Sequence, residues 1–250
     1  MRYFIDLAYR GTHYHGWQIQ PNALTVQQVV EEALSRILRY KVEVTASGRT
    51  DTGVHATTQV VHIDHEKPLS MSNEGYKLNA ILPADVAIKS IREVNEEAHA
   101  RFSATSRSYE YHIIRQKDPF QKDLSYHFNR PLDIEKMNEA ATFLLGKQDF
   151  QSFSKVKTDV HTYFCEISRA EWLEVNGRLV FYVSANRFLR GMVRALVGTL
   201  LLIGEEKAEP ASIKEVIASG DRGKAGRSVP PEGLFLTEVA YPGEIYTNRD

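Results

Sequence analysis

The stretch Lys41-Val42-Glu43-Val44-Thr45-Ala46-Ser47-Gly48-Arg49-Thr50-Asp51-Thr52-Gly53-Val54-His55-Ala56-Thr57-Thr58-Gln59-Val60-Val61-His62-Ile63-Asp64 sets the fold of the first half of the chain. Its ends, residues 41–46 and 57–64, read as two strands. The residues between them, from Ser47 to His55, are polar or small except for Val54. A polar loop hung between two strands is where function usually sits. Upstream, residues 2–9 alternate as a further strand that ends at Arg10-Gly11-Thr12. Residues 25–39 are helical: Val26, Val29, Val30, Ala33, Leu34, Ile37 and Leu38 follow the 3.6-residue period. Thr25 with Gln28 forms a capping box at the helix start. A second helix is expected over about 70–81 and a strand over 86–94.

The second half repeats this grammar. Residues 106–115 form a strand with Tyr109, Tyr111 and Ile113 on one face. Asp133 caps a helix over 134–145 that stops at Gly146. Strands 162–175 and 178–186 are joined by Asn176-Gly177, a hairpin signal. Residues 187–203 read as one long helix, apolar at Phe188, Leu189, Met192, Val193, Leu196, Val197, Leu200 and Leu201. A short helix near 211–218 and a strand at 234–240 follow. The expected architecture is α+β: two halves, residues 1–104 and 105–250, each an open antiparallel or mixed sheet with helices on one face. That layout resembles RNA-recognition folds.

At 250 residues the chain is long enough for one large domain or two small ones, and it needs no staples. One cysteine, Cys165, excludes a disulfide framework and suits a reducing compartment. No apolar run approaches a membrane span, and Met1 to Asp6 carry no signal-peptide pattern, so a cytoplasmic address and no membrane partner are expected. The net charge is −1, yet the charge is segregated. Arg101, Arg107, Arg115 and Lys117 face one acid, Glu110, within 101–117. Arg187, Arg190 and Arg194 fall in a stretch without acids. Residues 62–97 hold seven acids against four bases. Each cluster alone reads as a solvated face; together they allow a nucleic-acid surface.

Asp51 is the first candidate for chemistry. With Arg49 before it and Gly53 after it, a loop carboxylate stays ionised. It would serve as nucleophile, base or cation stabiliser; otherwise it forms an Asx-turn that organises its own loop. Arg187, Arg190 and Arg194 are spaced i, i+3 and i+7, which puts them on one helix face. Arg194, two turns into that helix and flanked by core residues, either snorkels to solvent or pairs with a buried acid such as Asp51. Tyr109 and Tyr111 are core or, with Arg107 and Arg115, a surface for stacked bases. The loop from Ser154 to Asp159 is a phosphate contact or a plain loop. His13, His15, His55, His62 and His65 match no zinc spacing, so no metal is expected. Gly11, Gly16 and Gly48 match no phosphate-cradling loop, so no nucleotide cofactor is expected.

Gly48-Arg49-Thr50-Asp51-Thr52-Gly53-Val54-His55-Ala56 resembles the signature of the tRNA pseudouridine synthase A family. Further blocks resemble the family in order along nearly the whole chain. They are Tyr9-Arg10-Gly11-Thr12 with Gly16-Trp17-Gln18, Thr25-Val26-Gln27, Leu78 to Pro83, and His99 to Ala104. The rest are Arg107 with Tyr109 and Tyr111, Asp149-Phe150 with Phe153, Phe188-Leu189 with Met192-Val193-Arg194, and Gly233 to Leu236. Thr52 stands where the family often has Ala, and Phe235 where it often has Tyr.

The resemblance implies a pseudouridine synthase fold, with two RNA-recognition-like α/β halves flanking a central catalytic cleft. It implies conversion of uridine to pseudouridine at positions 38, 39 and 40 of the tRNA anticodon stem-loop, by a homodimer without a cofactor. Asp51 is then the essential carboxylate, Tyr109 lies over the target base, and Arg194 pairs with Asp51. Arg49 takes the place of the flipped nucleotide or holds it out, and Leu234 contacts the substrate. Ala98, His99, Ala100, Arg101 and Phe102, with Lys157, Thr158, Asp159, Val160 and His161, form tRNA-contacting loops.

The chemistry fits such an enzyme. The N1–C1′ bond breaks, the uracil turns, and C5 joins C1′. A stacked uracil cannot turn, so the nucleotide must leave the stack, at a cost of about a few kcal/mol. Positive charge develops on the ribose, as in glycoside hydrolysis, and one ionised carboxylate stabilises or traps it. Water must be kept out, or hydrolysis follows. The competing classes are an RNA-binding module that does not need Asp51, a glycoside or nucleoside hydrolase that needs a second acid, and a metalloenzyme.

Overall fold

The computed structural model describes residues 1–155 and 161–247. The chain folds as two compact units, Met1–Ser106 with Phe235–Asp250, and Arg107–Leu234. The division of the sequence at 104/105 gives the last strand to the second half, whereas here the C-terminal segment returns to the first unit.

The first unit contains β1 (Arg2–Tyr9), α1 (Val26–Leu38), β2 (Thr45–Ala46), β3 (His55–Asp64), α2 (Tyr76–Ile81) and β4 (Val86–Val94). β1 lies between β4 and β3 and is antiparallel to both. β3 carries five consecutive buried residues from Gln59 to Ile63, so both of its faces are covered, as for a central strand. β2 pairs antiparallel with β3 near His62. The Thr25 hydroxyl oxygen accepts from the Gln28 N–H at 3.4 Å, but the Gln28 side chain turns to Glu32. Only one half of the capping box forms. The expected strand over 41–46 shrinks to Thr45–Ala46 because α1 claims the amides before it. The Val42 N–H donates to Ser35 Oγ at 2.9 Å and the Val44 N–H to Glu31 Oε1 at 2.9 Å. The expected helix over 70–81 begins as a wide turn at Met71–Gly75 and becomes regular only at Tyr76.

The second unit contains β5 (Ser106–Ile114), β6 (Tyr126–His127), α3 (Ile134–Thr142), β7 (Gly146–Asp149), β8 (Phe164–Val175), β9 (Arg178–Ala185), α4 (Met192–Gly204) and α5 (Ser212–Ser219). Its strands run in the order β5-β9-β8-β7, all antiparallel, with β6 parallel to β5. Asn176 and Gly177 both have positive φ, at 50° and 74°, as the tight hairpin between β8 and β9 demands. The Asp133 carboxylate caps α3, accepting from the Lys136 N–H at 2.9 Å. Every residue of α4 is buried except Arg194 and Leu202, so this helix is the core of its unit. β10 (Leu234–Ala240) returns to the first unit and pairs in parallel with β3, Phe235 opposite His55. Each unit thus has one parallel pairing in an otherwise antiparallel arrangement, β10 with β3 and β6 with β5, within the antiparallel or mixed sheets expected.

In each unit one helix asparagine seals a strand edge. Asn79 of α2 accepts from the Ile88 N–H at 2.7 Å and donates to the Ile88 carbonyl at 2.9 Å. Asn138 of α3 does the same to Trp172, at 2.7 and 3.0 Å. Each amide satisfies backbone groups that a neighbouring strand would otherwise take.

Candidate active site

Asp51 sits half-buried in the loop between β2 and β3, and that loop is clamped at both ends and from beneath. At its start, buried Gln59 accepts from the Ser47 hydroxyl at 2.6 Å and donates to the Gly48 carbonyl at 3.0 Å. At its end, His55 Nδ1 accepts from the Gly11 N–H at 3.0 Å, and the ring stacks on Phe235 at 4.6 Å. Beneath it runs the segment 9–17. The Tyr9 and Thr50 hydroxyls meet at 2.8 Å. The Trp17 N–H donates to the Thr50 carbonyl at 3.1 Å, and the Gly53 N–H donates to the Tyr14 carbonyl at 3.3 Å. Within the loop, the Asp51 carbonyl accepts from the Val54 N–H at 3.1 Å.

Two glycines make the close approach possible. A Cβ on Gly11 would collide with the Val54 backbone. One on Gly16, whose φ is +85°, would lie 2.6 Å from the Thr50 carbonyl oxygen. The segment is itself tied to the start of α1: the Val26 and Gln27 N–H groups donate to the Gly16 and Trp17 carbonyls at 3.2 and 3.0 Å. Helix, cradle and loop thus form one hydrogen-bonded unit beneath Asp51. Arg49 is exposed on the same loop.

The second unit carries the other two candidates. Tyr109 on β5 is half-buried, with its ring edge-on to Phe188 at 5.1 Å. Tyr111, two residues on, is fully buried, and its hydroxyl donates to the Pro230 carbonyl at 2.8 Å. Burial pushes the Tyr111 phenol far above its ordinary range. Of the two tyrosines, Tyr111 is core. At the far end of the strand Arg115 donates to the Arg130 carbonyl at 2.6 Å, and at the near end Arg107 donates to the Asn186 carbonyl at 2.9 Å.

The basic helix face does not form. Residues 187–191 are not helical; α4 begins at Met192, after Gly191 in the left-handed region at φ 72°. Arg187 donates instead to the Thr162 carbonyl at 3.3 Å, and the Arg190 carbonyl accepts from the Lys155 N–H at 2.9 Å. Arg194 therefore lies in the first turn of α4, not two turns in. Its Nε donates to the Val229 carbonyl at 2.7 Å, and the Val229 N–H returns to the Arg194 carbonyl at 3.2 Å. The segment carrying Val229 is seated on α4 where Gly198 and Gly226 meet, with the Gly226 N–H on Thr199 Oγ1 at 2.8 Å. Leu234 is buried at the start of β10.

Of the expected RNA-contacting segments, 98–102 is irregular and presents Arg101 and Phe102 to solvent. The Phe102 ring packs on His99 at 4.4 Å. In the other segment, His161 is exposed, and Lys157, Thr158, Asp159 and Val160 lie outside the described residues. His62 beneath the 98–102 segment is buried. That burial, together with the nearby Arg2 and His99, pushes its imidazole down to about 4.

Sequence reasoning missed Gln59, the cradle role of Gly11 and Gly16, and the Val229 support of Arg194. Gln59 left a weak signal: a polar side chain directly before Val60 and Val61 in a strand expected to be buried. The other two depend on contacts between distant segments.

The first unit thus carries a half-buried carboxylate, Asp51, on a hydrogen-bonded polar loop, and the second carries Tyr109 on a strand and Arg194 on a helix. The family described as tRNA pseudouridine synthase matches residues 7–103 and 140–242. The tRNA pseudouridine synthase A of Bacteroides thetaiotaomicron is 50% identical over 251 residues, covering 99% of this chain and 93% of that one. Its namesake in Parabacteroides distasonis is 48% identical over 250 residues, 100% and 99% of the two chains. The one in Bacillus pumilus is 40% identical, over 96% and 99%. The chain belongs to the tRNA pseudouridine synthase family.

Proposed function

We propose that this chain converts uridine to pseudouridine at positions 38, 39 and 40 of the tRNA anticodon stem-loop, with Asp51 as the essential carboxylate. Family membership supports an isomerase acting on tRNA. The observation that carries the assignment of Asp51 is its loop: gripped by Gln59, His55 and the 9–17 segment, it holds one half-exposed carboxylate in a fixed place. Preorganised charge of this kind stabilises a developing ribosyl cation without rearrangement during the reaction.

Arg194 is assigned as the counter-charge that orients Asp51. A cation in the first turn of a helix opposes the positive end of the helix dipole, so it calls for an anion. Tyr109 is assigned to the face of the target base and to proton movement at C5. Arg49, exposed on the Asp51 loop, fills the gap left by the flipped nucleotide or holds that nucleotide out. Leu234 contacts the substrate, and segments 98–102 and 157–161 contact the tRNA. The reaction exchanges one glycosidic bond for another with no change of redox state, so no cofactor is required. The working unit is a homodimer in which each tRNA touches both subunits, and it operates in the cytoplasm. Among the described residues no helix is long and apolar enough to cross a membrane.

The test is nucleoside analysis of tRNA after incubation with the enzyme. Pseudouridine in the digest with no free uracil in solution is expected. Free uracil would identify a hydrolase instead.

A further inference from the structure

We propose that His62 is a positioning residue for tRNA binding: from near the C-terminal end of β3 it holds the Ala100 amide and so fixes where Arg101 and Phe102 meet the RNA. The inference rests on the reading that segment 98–102 contacts tRNA.

The segment has no regular structure, yet all six backbone N–H groups from Ala98 to Ser103 have acceptors. The Ala98 N–H donates to the Asn95 carbonyl at 2.9 Å and the Ser103 N–H to the His99 carbonyl at 2.9 Å. The His99 N–H donates to Ser103 Oγ at 2.9 Å. The Arg101 and Phe102 N–H groups share His99 Nδ1, at 3.1 and 3.3 Å. The Ala100 N–H donates to His62 Nδ1 at 3.1 Å. Two carbonyls are held as well: Ala100 accepts from the Tyr241 hydroxyl at 2.6 Å and Ala98 from Arg2 at 3.0 Å.

Of these acceptors, His62 is the one built into the sheet. The residue is 8% exposed, and its ring meets the His99 ring edge-on at 4.7 Å. It braces the tip of a segment whose Phe102 is 76% exposed. Holding a phenylalanine ring in water is unfavourable for a free protein and useful to one that stacks bases. Arg101 beside it, its guanidinium 5.6 Å from the ring centre, adds a cation for phosphate. A neutral ring nitrogen suits the task because it accepts at a fixed distance from a rigid strand. Burial and the Arg2 guanidinium keep it neutral. Arg2 is itself held by Asp64 through two bonds of 2.8 Å.

The experiment compares steady-state kinetics on tRNA for the full chain and four variants. Asparagine carries its oxygen where histidine carries Nδ1, glutamine carries it one bond further out, and leucine has no acceptor. His62→Leu is expected to raise KM for tRNA about tenfold with kcat within about twofold, as for loss of uniform binding. His62→Gln is expected to raise KM about fivefold, and His62→Asn to return it to within about twofold of wild type. If His62→Leu does not fold, the contrast between Gln and Asn still decides. Arg101→Ala tests the underlying reading and is expected to raise KM about tenfold. A raised KM in Arg101→Ala with wild-type KM in His62→Gln and His62→Leu would overturn the positioning role alone. Unchanged KM in Arg101→Ala would overturn the tRNA-contact reading itself. A loss confined to kcat in the His62 variants would also overturn the proposal.

Discussion

The two units solve the same structural problem alike and the functional one differently. Both seal a strand edge with a helix asparagine, Asn79 on Ile88 and Asn138 on Trp172. They part where function is placed. The first unit braces irregular segments with buried polar side chains: Gln59 and His55 around the Asp51 loop, His62 under residues 98–103. The second braces the start of a buried helix, seating residues 226–229 on α4 so that Val229 holds Arg194. The shared device maintains the scaffold, and the candidate chemistry sits where the units diverge.

That contrast can be broken at the cradle. Gly16→Ala puts a Cβ 2.6 Å from the Thr50 carbonyl at a φ of +85°, so the Asp51 loop must shift. A displacement of about 1 Å at a reacting group costs about a hundredfold. A fall of that size in turnover, with the sheet signal in circular dichroism retained, is expected.

It can be sharpened at the edges. Asn79→Ala and Asn138→Ala each leave two backbone groups without their partner and should cost about 2 kcal/mol of stability. Urea unfolding of the two variants side by side is expected to give similar losses, with the specific activity of folded protein retained. A loss in one unit only would show that the two clamps are not equivalent.

A smaller effect is expected at the helix start. Arg194→Lys keeps the charge but loses the Nε–H that holds the Val229 carbonyl at 2.7 Å. A drop of about tenfold in kcat with little change in KM is expected, since lysine does not reproduce the planar donor array. The smallest is Tyr111→Phe, which removes the bond to Pro230 and should cost about 1 kcal/mol in thermal unfolding without loss of turnover. Tyr109→Phe on the same β5 face should lower turnover instead, so the pair separates core from site on one strand.

Much of the scaffold was legible because local patterns coincide with it. Alternation marked β1 and β5, and the hairpin followed from Asn176-Gly177. The start of α4 was not legible, because Phe188 and Leu189 continue its apolar period across a segment that Gly191 breaks. The strand expected over 41–46 was lost to side chains of α1, a contact that periodicity does not carry. The return of β10 to β3 in parallel is a long-range choice without a turn signal. At the site, the motif around Asp51 stood out by composition. Of the residues that hold it, Gln59 left only a polar residue in β3 as its sign, and Gly11 and Gly16 gained meaning only when distant segments were brought together.

The most direct test of the central claim follows tritium release from tRNA labelled with [5-³H]uridine, using wild type and Asp51→Asn alongside a binding assay. Release by wild type and none by Asp51→Asn, with tRNA still bound by both, is the predicted result. Release by Asp51→Asn at the wild-type rate would contradict the assignment of Asp51 as the essential carboxylate.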